Sequence, residues 1–214
     1  MESFRPKIAA DGLLFILPTA LICWISAFTG HSLISLLFLI LTCFITYFFR
    51  DPDPDIPEGE NLILSPAHGK IVSIQSRNET NFLNCEMQCV SIFLSIFDCH
   101  VNRTPVAGIV KSTKYNPGRF SLAFKNNASD DNENLSILLE TGKKDKIVVK
   151  LITGFLARRI VSIIKLNDTL KKAQRIGLIR FGSRVDIYLP ENVKLQVSIG
   201  DKVSGGESIL GEFI

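Results

Sequence analysis

Two hydrophobic patterns share this chain, and one gives way to the other near residue 50. Residues 12–49, "GLLFILPTALICWISAFTGHSLISLLFLILTCFITYFF", contain no Asp, Glu, Lys or Arg. Thr29, Gly30, His31 and Ser32 divide this stretch into two apolar runs, 12–28 and 33–49. As a helix each run would measure about 26 Å, near the lower limit for crossing the hydrocarbon core of a bilayer. A cleaved signal peptide fits poorly, because its apolar core is shorter and no small-x-small site leads into a polar start. The pattern predicts a helical hairpin that dips into or crosses a membrane. Trp24, Tyr47 and the terminal phenylalanines are expected at its interfaces.

The next segment, "RDPDPDIPEGE" (50–60), has three prolines and six charged residues and cannot be a helix interior. Beyond it the pattern shortens into β-branched and aromatic runs bounded by turn residues. "KIVSIQS", "CVSIFLSIF", "LSILLET", "KIVVKLITGF", "LIRFGSRVDIYL" and "VKLQVSI" all read as strands. "SRNETNFLN" and "NNASDDNEN" read as polar loops, the second acidic and mobile. The fold class expected is mainly β, a compact β-sandwich or barrel preceded by the membrane hairpin. The boundaries are 1–50 for the hairpin and 51–214 for the β domain.

An internal echo refines that expectation. "LNDTLKKAQRIGLI" (166–179) and "IGDKVSGGESILGEF" (199–213) share an Asp in a turn, Asp168 and Asp201, then a loop and a Gly-containing apolar strand. Two copies are too few for a solenoid but fit paired hairpins, as in biotinyl- and lipoyl-type barrels.

Composition changes this picture little. The chain has 214 residues, is 46% hydrophobic and has a net charge of +3, so the whole molecule lacks the basic excess of a nucleic-acid binder. Arg5 and Lys7 precede the apolar stretch and Arg50 follows it, which favours both ends on the cytoplasmic side. Arg158 with Arg159, and Lys171 and Lys172 with Arg175, are basic clusters that could face phosphate headgroups or plain solvent. The cysteines at 23, 43, 85, 89 and 99 form no zinc pattern; reduced, cytoplasm-facing thiols and no metal are the economical reading.

The chemistry converges on few residues. His31 lies at the hairpin bend. His68 sits in "LSPAHGKI", a turn entering a strand, and His100 in "FDCHVNRTPVAG". Asp98, His100, Asn102 and Arg103 gather acid-base and anion-binding groups where a buried strand reaches the surface. Ser183 follows Gly182 in "RFGSRV", which is not the Gly-x-Ser-x-Gly elbow of a serine hydrolase. A Gly-Ser bond in a constrained turn permits another reaction. The serine hydroxyl attacks the glycine carbonyl, the acyl group moves from nitrogen to oxygen, and elimination leaves dehydroalanine, which hydrolyses to a pyruvoyl group. Glycine permits the backbone strain and the close approach.

"YFFRDPDPDIP", "LSPAHGKI", "IFLSIFDCHVNRTPVAG", "YNPGRF" and "IGLIRFGSRVDIYLP" together resemble, in order, the motifs of short phosphatidylserine decarboxylase proenzymes. The resemblance covers about residues 47–190, and the double apolar N-terminus is also family-like. It implies self-cleavage between Gly182 and Ser183 into a β chain, residues 1–182, and an α chain, residues 183–214, whose Ser183 becomes a covalent pyruvoyl cofactor. The two chains would stay associated, with room for a homo-oligomer. The pyruvoyl carbonyl would take up the amine of membrane phosphatidylserine and accept the electrons released as carbon dioxide leaves. His100 would protonate the resulting carbon, and phosphatidylethanolamine would be released at the cell membrane. Arg103, Arg180 and Arg184 are the candidates for holding the phosphate.

One departure matters. The family turn usually reads Ser-Pro-Ala-Asp-Gly, and its Asp is implicated in processing; this chain has His68 there. His68 is expected to act as the base that deprotonates Ser183. The competing reading is a membrane-tethered β-barrel adaptor that never processes.

Overall fold

In the computed structural model, residues 7–118, 132–154, 159–180 and 183–214 are described. Arg5, Arg158, Phe181, Gly182, residues 119–120 of "YNPGRF" and residues 126–131 of the acidic loop lie outside these. The chain divides into two compact units, Met1–Asp53 and Pro54–Ile214.

The first unit is a helical hairpin of α1 (Ala10–Phe28) and α2 (Ser32–Phe48). Gly30, with φ +80°, supplies the left-handed bend between them. Cys23 Sγ donates to the Ser35 carbonyl at 3.3 Å and Ser35 Oγ donates back to the Cys23 carbonyl at 3.2 Å. At the open end, Ala9 N donates to Phe49 O and Asp51 N to Lys7 O, so Lys7 and Arg50 lie together. Leu14, Leu17, Trp24, Phe28, Leu33 and Leu37 are all exposed. Helix α1 is long and apolar enough to cross a membrane, whereas α2, at 17 residues, is shorter.

Among the described residues the second unit contains fourteen strands, and their pairing reveals two similar halves. One half comprises β1 (Leu62–Leu64), β2 (Gly69–Glu79), β3 (Cys85–Leu94), β11 (Ser183–Leu189), β12 (Val193–Leu195), β13 (Lys202–Val203) and β14 (Ile209–Phe213). The other comprises β4 (Val101–Arg103), β5 (Gly108–Asn116), β6 (Asn134–Glu140), β7 (Lys146–Thr153), β8 (Ile160–Ser162), β9 (Thr169–Leu170) and β10 (Arg175–Ile179). The eight-stranded sheet reads β13-β2-β3-β11-β7-β6-β5-β9, a palindrome of corresponding strands about the β11/β7 pair. The small sheets β1-β14-β12 and β4-β10-β8 correspond in the same way.

Local chemistry repeats with the topology. Ser65 Oγ donates to Ala67 O at 2.7 Å, and Thr104 Oγ1 donates to Val106 O at 2.6 Å. The Asp168 carboxylate accepts from Lys165 N and the Asp201 carboxylate from Ser198 N, each three residues back. The echo read from the sequence is thus a pair of matching side-chain-capped turns. The main core, from Ile63 to Leu210, fills the inside of the curled sheet, with Ile92, Leu94, Ile137, Leu151, Val185 and Ile187 fully buried.

Two features differ from the sequence reading. "LIRFGSRVDIYL" is not one strand: β10 ends at Ile179 in a small sheet and β11 begins at Ser183 in the large one. Residues 132–134, assigned to a mobile loop, are buried, and Asn134 opens β6. Their burial follows from backbone pairing with β7 and from Asn132 Nδ2 donating to Thr153 O at 2.7 Å, partners that lie far away in sequence.

Candidate active site

Strand register brings three candidate segments to one end of the large sheet. Ser183 opens β11 opposite Leu94, the last residue of β3, and opposite Thr153, the last of β7. Next to it, Phe93 pairs with both Arg184 and Lys70, so the start of β2 at Gly69 is level with Leu94 and Ser183. His68 immediately precedes that start and is half-buried. A Cβ at Gly69 would lie 2.2 Å from Phe93 O, so only glycine lets the strand begin there after His68. Reciprocal backbone bonds, Arg103 N to Pro66 O and Leu64 N to Pro105 O, fasten the turn that carries His68 to the segment that carries His100.

His100 lies on the crossover from β3 to β4. The crossover leaves β3 through a closed turn in which Asp98 N donates to Ser95 O and Ser95 N donates to the Asp98 carboxylate at 2.8 Å. His100 follows, fully buried, and its Nδ1–H donates to Asp98 O at 2.9 Å. A carbonyl can only accept, so Nδ1 carries a hydrogen and proton exchange at this ring falls to Nε2. The His100 carbonyl accepts from Ile179 N at 3.3 Å and from Asn102 Nδ2 at 3.1 Å. Ile179 ends β10, and the short crossover to β11 starts there. The end of β10 and the crossover that holds His100 therefore meet at this end of the small sheet.

Ser183 itself is unusual. Along β11 its side chain shares a face with Val185, Ile187 and Leu189, all of which belong to the core. Its Oγ is buried and has no hydrogen-bond partner among the described residues. Leaving such a hydroxyl unpaired costs about 1–3 kcal/mol; Ser73 Oγ on β2 is unpaired as well, so what sets Ser183 apart is its place at the buried start of a strand. Asn102 Oδ1 is a second buried acceptor of the same kind. The hydroxyl is thus buried at a strand start, level with the ends of β3 and β7.

The arginines part company here. The Arg184 side chain points to the opposite face of the sheet from Ser183, where Nε donates to Asp186 Oδ1 at 2.6 Å, and Nη2 to Asp186 Oδ2 at 3.0 Å and Ser91 Oγ at 2.9 Å. Its guanidinium is thus committed to a buried ion pair. Arg103 is buried and donates from Nη1 to Ala173 O at 3.2 Å. Arg180, half-buried three residues before Ser183, donates its backbone N–H to Arg159 O.

Reading the sequence missed the polar wall beside Ser183. Thr153 Oγ1 donates to Glu133 O, and the buried Glu133 carboxylate accepts from Tyr115 Oη at 3.0 Å and from Ile160 N at 3.3 Å. No sequence signal separated Asn132 and Glu133 from the acidic residues before them. A cavity of about 490 Å³ lined by Ala107, Thr141, Lys143, Asp145, Lys172 and Phe213 lies at the other end of β7 and contains none of the candidate residues. Lys172 there donates to Gly59 O, and burial lowers its pKa, with Glu60 opposing.

Comparison with known proteins finds relatives along nearly the whole chain. Residues 41–211 match a family model described as phosphatidylserine decarboxylase. The chain is 42% identical over 207 residues to a phosphatidylserine decarboxylase proenzyme of Desulfotalea psychrophila, covering 97% of each. It is 43% identical over 211 residues to one of Syntrophotalea carbinolica, covering 99% of each. It is also 40% identical to one of Ehrlichia chaffeensis, covering 98% of this chain and 93% of that protein.

Proposed function

Because the chain belongs to the phosphatidylserine decarboxylase family, we propose that it converts membrane phosphatidylserine to phosphatidylethanolamine and carbon dioxide, using a pyruvoyl group made from Ser183. The observation that carries this reading is the buried, unpartnered Ser183 hydroxyl at the start of β11. Self-cleavage begins when that hydroxyl attacks the Gly182 carbonyl. The amide C–N bond breaks, and an ester to Oγ forms with a free amine on Ser183. Loss of the Cα proton then breaks the Cβ–O bond, releasing Gly182 as a carboxylate and leaving dehydroalanine. Its imine tautomer takes up water and loses ammonia, leaving the ketone of the pyruvoyl group; overall one water is consumed.

When present, that group supplies an electron sink comparable to pyridoxal phosphate. The rest falls to side chains. His68, beside the level of Ser183, removes the hydroxyl proton during cleavage. His100, with its hydrogen held on Nδ1 by Asp98 O, moves a proton through Nε2 to the substrate carbon that loses its carboxylate. Arg180 and Arg103 are the remaining phosphate candidates, since Arg184 is held by Asp186. Strand β11 lies between β3 and β7, both in the β chain, so the α chain remains associated after the cut. The hairpin keeps the domain on the lipid surface, on the cytoplasmic side by the charges at its open end.

Intact mass spectrometry of the purified protein tests this. The expected result is two chains, the smaller being residues 183–214, 32 residues long, with no free N-terminal amine. Ser183→Ala should remain a single chain of 23.8 kDa. One uncut chain in the natural protein, under reducing conditions with lipid present, would favour the non-processing adaptor instead.

A further inference from the structure

We propose that Arg184, Asp186 and Ser91 anchor the start of β11 once the chain is cut, holding the new chain end in the site; this rests on the self-cleavage proposed above. Before cleavage the start of β11 is tied covalently to β10. Afterwards Ser183 is a chain terminus, and strand termini fray unless something fastens them. The first side chain able to do so is that of Arg184, and it is buried against Asp186 two residues on.

The ion pair itself lies within the α chain. Its ties to the β chain include Arg184 Nη2 donating to Ser91 Oγ on β3 at 2.9 Å, and Arg77 Nη1 on β2, 3.9 Å from Asp186 Oδ2. Lys150 on β7 sits directly opposite Asp186 in register. These groups occupy the face away from Ser183, so they fasten the strand without entering the space where substrate must bind.

The internal symmetry shows that the fold does not require a carboxylate or a hydroxyl at this place. In the other half, the positions matching Asp186 and Ser91 are Val148 on β7 and Leu138 on β6, which pair in register and pack in an apolar cluster. There the start of β7 is joined to the end of β6 by the short turn 141–145, closed by Thr141 N donating to Asp145 O. The start of β11 has no such turn to β3; it is reached from β10, across the bond that is cut. The polar anchor stands where the matching half has a covalent connection.

The test uses full-length protein in detergent, cleaved and with the uncleavable Ser183→Ala variant as background. In cleaved protein, Ser91→Ala should release the 183–214 fragment roughly tenfold more readily on size exclusion, and Ser91→Thr should restore its retention. Arg184→Met should release it on the order of a hundredfold more readily. Joined to Ser183→Ala, Ser91→Ala should lower Tm by less than half of its effect in the cut protein, because the strand is still tied. Should Arg184→Met fail to fold, the Ser91 series decides alone. Equal Tm losses in cut and uncut proteins, or full retention of the fragment, would overturn the anchor and leave the self-cleavage reading intact. An uncut wild type would overturn both.

Discussion

His100 shows how much a single residue's role depends on one backbone acceptor. The Asp98 carbonyl fixes its tautomer, and full burial keeps the ring away from bulk water. In protein that has already cleaved, His100→Ala should cut decarboxylation by about two orders of magnitude or more, the usual loss for a proton-transfer group. Release of carbon dioxide at near the wild-type rate would remove it from the mechanism. His68 is separable because the role proposed for it comes earlier, in self-cleavage. His68→Ala should abolish appearance of the 183–214 fragment, and His68→Asp, which restores the usual family residue, should preserve or speed it. Cleavage by His68→Asp alone, with the natural protein uncut, would mark this chain as defective in processing.

At the scale of an element, β3 carries both the anchor's Ser91 and a thiol that reports on it. Cys89 lies on the same face, and burial, followed by the Asp186 carboxylate, pushes its pKa up to about 12 from 9.0; Arg77 and Arg184 pull the other way. Below pH 9 the thiol is protonated in folded and unfolded chains alike and adds no pH dependence. Between 9 and 12 the folded state holds the proton more tightly, so stability falls as pH rises through that window. Cys89→Ala should therefore flatten the alkaline limb of Tm against pH, and an unchanged limb would contradict the burial argument. In folded protein at pH 8, alkylation should reach the exposed Cys85 and spare Cys89. The same strand explains a limit on sequence reading: "CVSIFLSIF" reads as continuous, yet β3 stops at Leu94 because Asp98 closes a turn back onto Ser95.

For the whole molecule, the division between hairpin and β domain makes a separable prediction. The main core draws its residues from Ile63 to Leu210, within the second unit. A chain beginning at Pro54 should fold and remain in the supernatant without detergent, while the full-length protein sediments with membranes. Full-length protein that stays in solution without detergent would show that the apolar helices are not a membrane element. The internal symmetry belongs to this scale too. It places the Ser183 end of β11 and the Asp145 end of β7 in matching positions, and among the described residues only the first carries an unpartnered serine and a following ion pair.

Much of this was legible in the sequence because it depends on neighbours close along the chain. An uncharged stretch over 12–49 prefers hydrocarbon wherever it folds, and short β-branched runs form strands under most packings. Asp168 and Asp201 cap turns three residues away, so their echo survives in one dimension. The ordered motifs around His68, His100 and Ser183 gave the family for the same reason, as local runs of residues. What only tertiary structure decided involves partners chosen across the chain. Register against β3 and β7 made Ser183 a buried strand end, and reciprocal bonds between residues 64–66 and 103–105 brought His68 to the crossover of His100. Arg184 reads as a phosphate ligand beside Ser183 until strand alternation turns it to the other face, where Asp186 and Ser91 hold it. Asn132 and Glu133 look solvated until Thr153, some twenty residues later, covers them. Local pattern sets which residues extend and which bend; long-range pairing sets which of them meet.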